Sequence, residues 1–376
     1  MAIGRAGSPG PGPARAPREE PRSCRYPFAV RTDGTGEPGE FPAEIGALVR
    51  ERTEARARHD WRLADELRAS IEAAGWRIMD RGPRTRVSPA APASTEVAGE
   101  VRYGSAIAVP SRLDEPATTA WTVVLMASEE PAALSRVLDA IRTHGPVGLQ
   151  VVMVENDPSD AQVEALSPGS PDRAAIGGTD PELVRTSARL GYAAALNIGL
   201  RRAGGDLVIL ADGSAVPAGD AWTALAAALA DPAIAAAGGY GLREPDEGTA
   251  RFNALQAVQP SLESHDVTAL QGSWLAFRRA DYVTLGPLDE HFVTPAWLDV
   301  WWGLRLRTGR ADSAASAGGP GTAGDDAPAP AAPRSAVVVP LPLERVRETW
   351  PPDRNRPNRR NMYRVLDTFR NFESPG

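Results

Sequence analysis

The 376-residue sequence lacks lysine and contains a single cysteine, Cys24. One cysteine excludes a disulfide framework within the chain and a zinc site built from several cysteines. Arginine therefore supplies all 41 basic residues, and 48 acidic residues outnumber them, which gives a formal net charge of −7. This balance argues against a chain that binds nucleic acid along its whole length, because phosphate neutralisation needs clustered cations.

Long apolar segments are also missing. No run reaches the roughly 18 apolar residues that a membrane-spanning helix needs. The first residues are rich in Pro, Gly and Arg and lack the apolar core of a signal peptide. Together with the single cysteine, these features predict a cytoplasmic protein, either soluble or peripheral to the inner face of the membrane.

Composition divides the chain into segments. Residues 1–40 are predicted to be disordered because they contain too few apolar residues to offset the entropy cost of ordering, and the Gly/Ala/Pro-rich insertion 310–333 is predicted to be disordered as well. Residues 41–87 show the three-four spacing of amphipathic helices and predict a helical hairpin. Residues 88–119, rich in Ala, Pro, Ser and Thr, predict a linker. Residues 120–376 form the main domain.

Short apolar runs alternate with helical patterns in the main domain. Runs of strand length at 122–126, 149–154 and 206–210 are separated by helical periodicity at 132–143 and 193–203. This alternation predicts parallel strands joined by crossover helices. The expected fold is therefore α/β, with a doubly wound, mostly parallel sheet and helices on both faces.

Polar residues follow two of these predicted strands. Ligands of open parallel sheets bind outside the carboxyl ends of the strands. Glu155 and Asn156 stand at one such end and would contact a base and a ribose, or would form a turn that starts the next helix. Asp212 stands at another and would bind a metal or cap a helix.

Five segments, in this order, resemble the family 2 glycosyltransferases, which have the GT-A fold, over about residues 121–370. They are WTVVLMASEEPAALSRVLDAI, VVMVENDPSD, LGYAAALNIGLRRAGGDLVILADGSAVP, ALQGSWLAFRR, and GPLDEHF followed by WLDVWWGLRLRTG. The resemblance implies an enzyme of the hexosyl- or rhamnosyltransferase type, acting in cell-wall or polysaccharide synthesis. It would move a sugar from a nucleoside diphosphate to an acceptor glycan or lipid-linked sugar, with inversion.

The resemblance also implies roles for individual residues. Asp299 would be the general base that takes the proton of the acceptor hydroxyl, which is a poor nucleophile until that proton leaves. The alternative for Asp299 is a helix cap. Asp212 would bind the diphosphate or its Mg²⁺ or Mn²⁺ ion, and Glu155 and Asn156 would contact the base. The other implied binding residues are Gly191, Asn197, Gly272, Ser273, Arg359 and Arg360, of which the two arginines would hold phosphate oxygens.

Some family positions differ in this chain. Gly213 and Ser214 follow Asp212, where the family has a second acidic residue, and Leu298 precedes Asp299 in place of a glutamate. Hard divalent cations prefer several oxygen ligands, so any Mg²⁺ or Mn²⁺ ion would be held weakly. A weakened or inactive protein that binds nucleotide sugars is therefore an alternative. The cluster Trp297, Trp301 and Trp302 would stack on a sugar or belong to the core.

A second resemblance covers about residues 46–87. The sequence from Val49 to Arg86 is similar to the C-terminal tail of cysteinyl-tRNA synthetases, although the single cysteine excludes the zinc site of a whole synthetase. A charged, solvated hairpin is the simpler interpretation, and RNA is not the expected partner. An RNA contact through Arg50, Arg52, Arg56 and Arg58 is the alternative.

Overall fold

The computed structural model describes residues 43–81, 84–89, 91–127, 131–166, 181–244, 255–258, 262–309, 334–347 and 349–369. The segments 1–40 and 310–333, predicted to be disordered, lie outside the described residues. The chain divides into two compact units, Met1–Ala90 and Ala91–Gly376. No helix within the described ranges is long and apolar enough to cross a membrane.

Helices and strands are numbered in chain order. The helices of the described residues are α1 (Ala43–Ala57), α2 (Trp61–Ala73), α3 (Pro131–His144), α4 (Asp160–Ala165), α5 (Tyr192–Leu200), α6 (Trp222–Leu229), α7 (Arg279–Leu285), α8 (Leu298–Thr308) and α9 (Arg356–Thr368). The strands are β1 (Trp76–Arg81), β2 (Arg84–Pro89), β3 (Thr95–Val97), β4 (Glu100–Tyr103), β5 (Thr119–Met126), β6 (Gln150–Glu155), β7 (Glu182–Thr186), β8 (Gly205–Ala211), β9 (Ala215–Pro217), β10 (Ile234–Gly238), β11 (Gly241–Arg243), β12 (Gln256–Ala257), β13 (His265–Val267), β14 (Ala269–Leu270), β15 (Leu275–Arg278), β16 (Ser335–Val338) and β17 (Leu343–Arg345).

The first unit is the expected helical hairpin, extended by a two-stranded sheet. Asp60 caps α2 by accepting a hydrogen bond from the Leu63 backbone N–H, 3.1 Å away. After α2, Gly75 has a φ of +81°, the left-handed conformation that glycine adopts without strain. The antiparallel strands β1 and β2 follow, and the paired residues Ile78 and Val87 are buried in the core of this unit. The prediction of a helical hairpin is therefore confirmed.

The arginines considered for an RNA contact are not equally accessible. Arg52 is 2% exposed and belongs to the interior of the first unit. Arg50 and Arg58 are exposed, and the Arg56 guanidinium lies over the ring of Trp61, 6.0 Å from its centroid.

A ten-stranded mixed sheet organises the described residues of the second unit. Its strand order is β13-β16-β10-β15-β8-β5-β6-β7-β4-β3. Strands β8, β5, β6 and β7 are parallel to one another, whereas β15 is antiparallel to both β8 and β10. The expected α/β architecture, a mostly parallel sheet with helices on both faces, is confirmed.

The apolar strands are explained by burial on both faces. Successive side chains of a strand point to opposite sides of a sheet. In β5, Val123 and Leu125 pack in the core beneath α3 and α6, whereas Val124 packs in the core formed with α5, α7 and α8. A continuous apolar run is what a strand covered on both faces requires.

Residues 91–119 differ from the expected linker. Strand β4 pairs in parallel with β7, β3 pairs with β4, and Val109 is 1% exposed. The backbone N–H of Ser187 donates to the carbonyl of Tyr103, 3.0 Å away. Composition alone suggested a linker because these strands are short and partly exposed, so they carry little apolar periodicity.

Two truncated fragments test whether residues 91–119 belong to the folded second unit. We expect the fragment 91–376 to fold cooperatively. The fragment 120–376 should have an unfolding free energy lower than that of 91–376 by at least about 2 kcal/mol, the order expected for the loss of one buried apolar side chain such as Val109. Urea denaturation of both fragments measures the difference. Equal stability would show that residues 91–119 act as a linker after all.

Candidate active site

A tight turn follows strand β8 and fixes Asp212. The Oδ1 atom of Asp212 accepts hydrogen bonds from the backbone N–H of Ser214 at 2.9 Å and from its hydroxyl at 2.6 Å. Gly213, between them, has a φ of +73°, which favours glycine over any residue with a side chain. The turn therefore explains why glycine occupies a position where the resemblance leads one to expect an acidic residue.

The antiparallel strand β15 brings Gly272 and Ser273 to the same place. Because Leu275 pairs with Leu210 at the end of β8, the residues before β15 lie beside the residues after β8. The hydroxyls of Ser273 and Ser214 are hydrogen-bonded to each other, and both side chains are buried. The backbone N–H of Gly272 donates to Oδ2 of Asp299, 2.7 Å away.

Asp299 lies in the first turn of α8. Its Oδ1 atom accepts a hydrogen bond from the backbone N–H of Val300 at 2.8 Å, so each carboxylate oxygen has one backbone donor. The N-cap position of α8 belongs to Trp297, not Asp299. Desolvation raises the pKa of the Asp299 carboxyl group, backbone hydrogen bonds from Val300, Gly272 and Asp299 itself oppose the rise, and the nearby charge of Asp212 adds to it, so that the resulting pKa is about 6.

Asp212 and Asp299 line one cavity of about 340 Å³. Tyr192 and Arg347 also line it. Burial raises the pKa of the Tyr192 hydroxyl, and the charges of Asp212 and Asp299 raise it further, whereas Arg347 lowers it. Two carboxylates, a phenol and a guanidinium therefore act on one another within this space.

Sequence analysis missed Arg347. The residue is exposed, and its backbone N–H donates to the carbonyl of Ser214 at 3.1 Å, which attaches it to the Asp212 turn. Its position depends on the pairing of β17 with β9, two short strands far apart in the chain.

Glu155 lies away from this cavity, in a buried ion pair. Its Oε2 atom accepts a hydrogen bond from Arg185, whose guanidinium also pairs with Glu100. Burial raises the pKa of the Glu155 carboxyl group, and the charge of Arg185 counteracts this rise. Among the described residues, the second oxygen of Glu155 and one Nη atom of Arg185 have no hydrogen-bond partner.

Three further expected binding residues form hydrogen bonds or packing contacts within the protein. Asn156 binds both the N–H and the carbonyl of Leu190, at 2.9 and 3.0 Å. The buried Asn197 side chain accepts hydrogen bonds from Leu288 N and the Tyr282 hydroxyl. Gly191 precedes α5, and a Cβ atom there would lie 3.3 Å from Val293. None of the three lines the 340 Å³ cavity.

The two arginines of α9 differ in position. Arg359 lines a second cavity of about 620 Å³ next to the first, whereas Arg360 lines neither of these two cavities. Both side chains are exposed.

The tryptophan cluster belongs largely to the core. Trp302 packs edge-on against Phe277 and Tyr282, and Trp301 packs against Phe292. Trp297 has a φ of +71°, an unfavourable conformation for a bulky residue. Its ring packs edge-on against Trp350, with the ring centroids 4.9 Å apart. Core packing is therefore the dominant role, although Trp297 and Trp302 also border the first cavity.

The cavity lined by Asp212 and Asp299 offers few ligands for a divalent metal ion. No group of three or more His, Cys, Asp or Glu side chains in the described part of the chain is placed to hold a metal ion. One oxygen of Asp212 is already engaged by Ser214, and both oxygens of Asp299 accept backbone hydrogen bonds. At this cavity, a cation would need most of its oxygen ligands from a bound diphosphate.

The buried ion pair yields a stability prediction. Arg185→Met leaves Glu155 without its counter-charge, and we expect a loss of about 3–5 kcal/mol of unfolding free energy. Adding Glu155→Gln should recover most of that loss, because no buried charge then remains at this position. Urea denaturation measures both variants. A wild-type midpoint in the single variant would contradict a structural role for the pair.

Comparisons with known proteins identify two parts of the sequence. Residues 122–282 match the model of glycosyl transferase family 2, and residues 39–87 match that of the cysteinyl-tRNA ligase anticodon binding domain. No curated protein matches the chain. The first of these matches spans less than half of the 376 residues.

Several solved structures are similar in part. The structure of GalNAc-T7 with UDP, GalNAc and Mn²⁺ is 15% identical in sequence, with a TM-score of 0.49. The similarity covers 68% of this chain and 48% of GalNAc-T7, so this chain spans about half the length of GalNAc-T7. The mannosyltransferase PcManGT from Pyrobaculum calidifontis, in complex with GDP-Man and Mn²⁺, has 22% identity and a TM-score of 0.41, over 70% of each chain. TarS from S. aureus has 12% identity and a TM-score of 0.38, over 51% of this chain and 34% of that chain.

These similarities in structure are too low to indicate a substrate, and the similarity to a family rests on the sequence match alone. Over residues 122–282, the sequence is similar to glycosyl transferase family 2.

Proposed function

We propose that the second unit transfers a sugar from a nucleoside diphosphate to an acceptor hydroxyl, with inversion at the anomeric carbon, and that the 340 Å³ cavity is its active site. The observation that carries the proposal is the Asp299 carboxylate at the wall of this cavity, with a pKa raised to about 6. A base with a pKa near the working pH is effective, because it is unprotonated yet still able to accept a proton.

In the proposed reaction, an acceptor hydroxyl oxygen attacks the anomeric carbon of the donor sugar. The new carbon–oxygen bond forms as the bond to the diphosphate oxygen breaks, and the hydroxyl proton passes to Asp299. One base and in-line attack are sufficient for this displacement, which inverts the configuration. The backbone N–H groups of Gly272 and Val300 hold the carboxylate in place during the transfer.

The leaving diphosphate needs positive charge nearby. Arg347 lines the cavity and is attached to the Asp212 turn through the carbonyl of Ser214. Mg²⁺ or Mn²⁺, bound by Asp212 together with the diphosphate oxygens, would supply further charge neutralisation. The residues proposed to bind the diphosphate of the donor are therefore Arg347 and Asp212.

A second candidate function is binding of a nucleotide sugar without transfer. Gly213 and Ser214 leave Asp212 as the single carboxylate of its turn, which favours a weakened site. Product formation distinguishes the two candidates, because both require donor binding and only the first requires Asp299.

We expect Asp299→Asn to lower kcat by about 10²- to 10⁴-fold, the usual contribution of general-base catalysis, while donor affinity changes little. The asparagine keeps an oxygen for one of the two backbone donors but cannot take the proton. Steady-state kinetics and donor titration measure the two effects. In the wild type, kcat/KM should rise with pH through about 6, because only the unprotonated carboxylate accepts a proton.

The control for this variant is Asp206→Asn. Asp206 is exposed at the opposite end of β8 from Asp212, so its variant loses one negative charge without touching the cavity. Full activity in Asp299→Asn would reject the assignment of Asp299 as the general base. The assignment would also be rejected if kcat/KM of this variant still rose with pH through the same range as in the wild type.

We expect Asp212→Ala to abolish the metal dependence of donor binding together with most of the donor affinity. Metal should strengthen wild-type binding only modestly, since Asp212 supplies one oxygen and the diphosphate two. Calorimetric titration of a nucleoside diphosphate with Mn²⁺ and with chelator measures this, with Asp206→Ala as the matched control. If chelator leaves wild-type binding unchanged and Asp212→Ala binds equally well, Asp212 serves only to form the turn.

A further inference from the structure

The second cavity adjoins the proposed active site. Its volume is about 620 Å³, and it shares lining residues with the first cavity, among them Trp297, Trp350, Asp353 and Asn358. The packed rings of Trp297 and Trp350 form a wall common to both spaces. Trp297 is two residues before Asp299, so a ligand that occupies the second cavity and reaches past this wall approaches the proposed base.

One part of the second cavity is apolar. Leu255, Met362, Leu366 and the ring of Tyr363 line it. Leu255 is 6% exposed, whereas Tyr363 is 62% exposed. The apolar lining thus extends from the protein interior to the surface. It therefore suits a ligand that carries an apolar group next to a polar group.

Two guanidinium groups also line this cavity. Arg354 and Arg359 are exposed, and neither forms an ion pair or a side-chain hydrogen bond with another described residue. By contrast, Arg364 on the same helix is paired with Asp289. Asp353 is the single acidic side chain of the described lining, so the lining has an excess of positive charge. Two arginines without counter-charges suit a phosphate, whose oxygens accept paired N–H donors.

We propose that the second cavity binds the acceptor, and that the acceptor carries a phosphate group held by Arg354 and Arg359. This inference rests on the proposed function, because it assigns the acceptor of that same reaction. The accepting hydroxyl extends past Trp297 to Asp299, and the phosphate remains between the two arginines. Two sources share this chemistry, a sugar phosphate in solution and a sugar linked through phosphate to an apolar carrier.

Binding of three probes to the full chain tests the proposal: glucose 1-phosphate, octyl phosphate and the neutral octyl glucoside. Calorimetric titrations are made with excess UDP, GDP and Mn²⁺, so that the donor site is filled. We expect at least one phosphate probe to bind about 10-fold more tightly than octyl glucoside, as expected for hydrogen bonds to charged groups. Tighter binding of octyl phosphate indicates an apolar carrier, and tighter binding of glucose 1-phosphate indicates a soluble acceptor.

The variants locate the binding site. Arg354→Ala combined with Arg359→Ala should weaken the phosphate probes by at least about 10-fold. Arg356→Ala is the matched control, because Arg356 lies between them in sequence, is exposed, and lines neither of the two cavities. Its affinity for the probes should stay within about 2-fold of wild type, as is usual for a surface substitution.

Three results would overturn the proposal: octyl glucoside binding as tightly as both phosphate probes, no binding of either phosphate probe, or wild-type affinity in the double variant. Titration of UDP and GDP alone, without the probes, keeps this test separate from that of the proposed function. Loss of nucleoside diphosphate affinity in the double variant would mean that these arginines hold the donor, and would also overturn the proposal. Failure of the wild type to bind any nucleoside diphosphate would instead count against the proposed function.

Discussion

The arrangement of the proposed active site depends on the antiparallel pairing of β15 with β8. This pairing places the start of β15 beside the carboxyl end of β8, where the Asp212 turn begins. It thereby allows the Gly272 N–H to reach Asp299 and the Ser273 hydroxyl to reach Ser214. If β15 were parallel to β8, Gly272 and Ser273 would lie at the opposite end of the strands. The hydrogen bonds that join the Asp212 turn to Ser273 and Asp299 to Gly272 would then be lost.

Electrostatics within the cavity follow from this arrangement. Burial makes the charged form of Asp299 costly, and the negative charge of Asp212 adds to that cost, so both raise the pKa. Backbone hydrogen bonds limit the rise to about 6, so the carboxylate remains largely unprotonated at neutral pH. Arg347 contributes a positive charge to the same cavity and would become more important once a diphosphate is bound.

The fold could be predicted from the sequence, and the contacts that could not be predicted have physical reasons. Alternating apolar runs predicted the sheet because β5 and its neighbours are covered on both faces. Asp212, which was selected by its position after a strand, lines one cavity together with Gly272 and Asp299, which were selected by the resemblance. The side-chain amides of Asn156 and Asn197 form hydrogen bonds with backbone groups, because an amide is satisfied equally by a ligand or by a neighbouring loop.

Two other features were not visible in the sequence. The ion pair of Glu155 depends on Arg185, 30 residues away, and on strand β4, which composition had assigned to a linker. Arg347 was missed because its position depends on the pairing of β17 with β9, two short strands far apart in the chain. Long-range pairing of short strands leaves no periodic signal in either segment.

The central claim is that the cavity lined by Asp212 and Asp299 catalyses an inverting sugar transfer. The most direct measurement incubates the full chain with UDP-, GDP- and dTDP-sugars and glycoside acceptors, and follows nucleoside diphosphate release and the anomeric configuration of the product by NMR. The account predicts acceptor-dependent release from at least one donor and an inverted product, both lost in Asp299→Asn. A product with retained configuration, or acceptor-dependent release undiminished in Asp299→Asn, would contradict it.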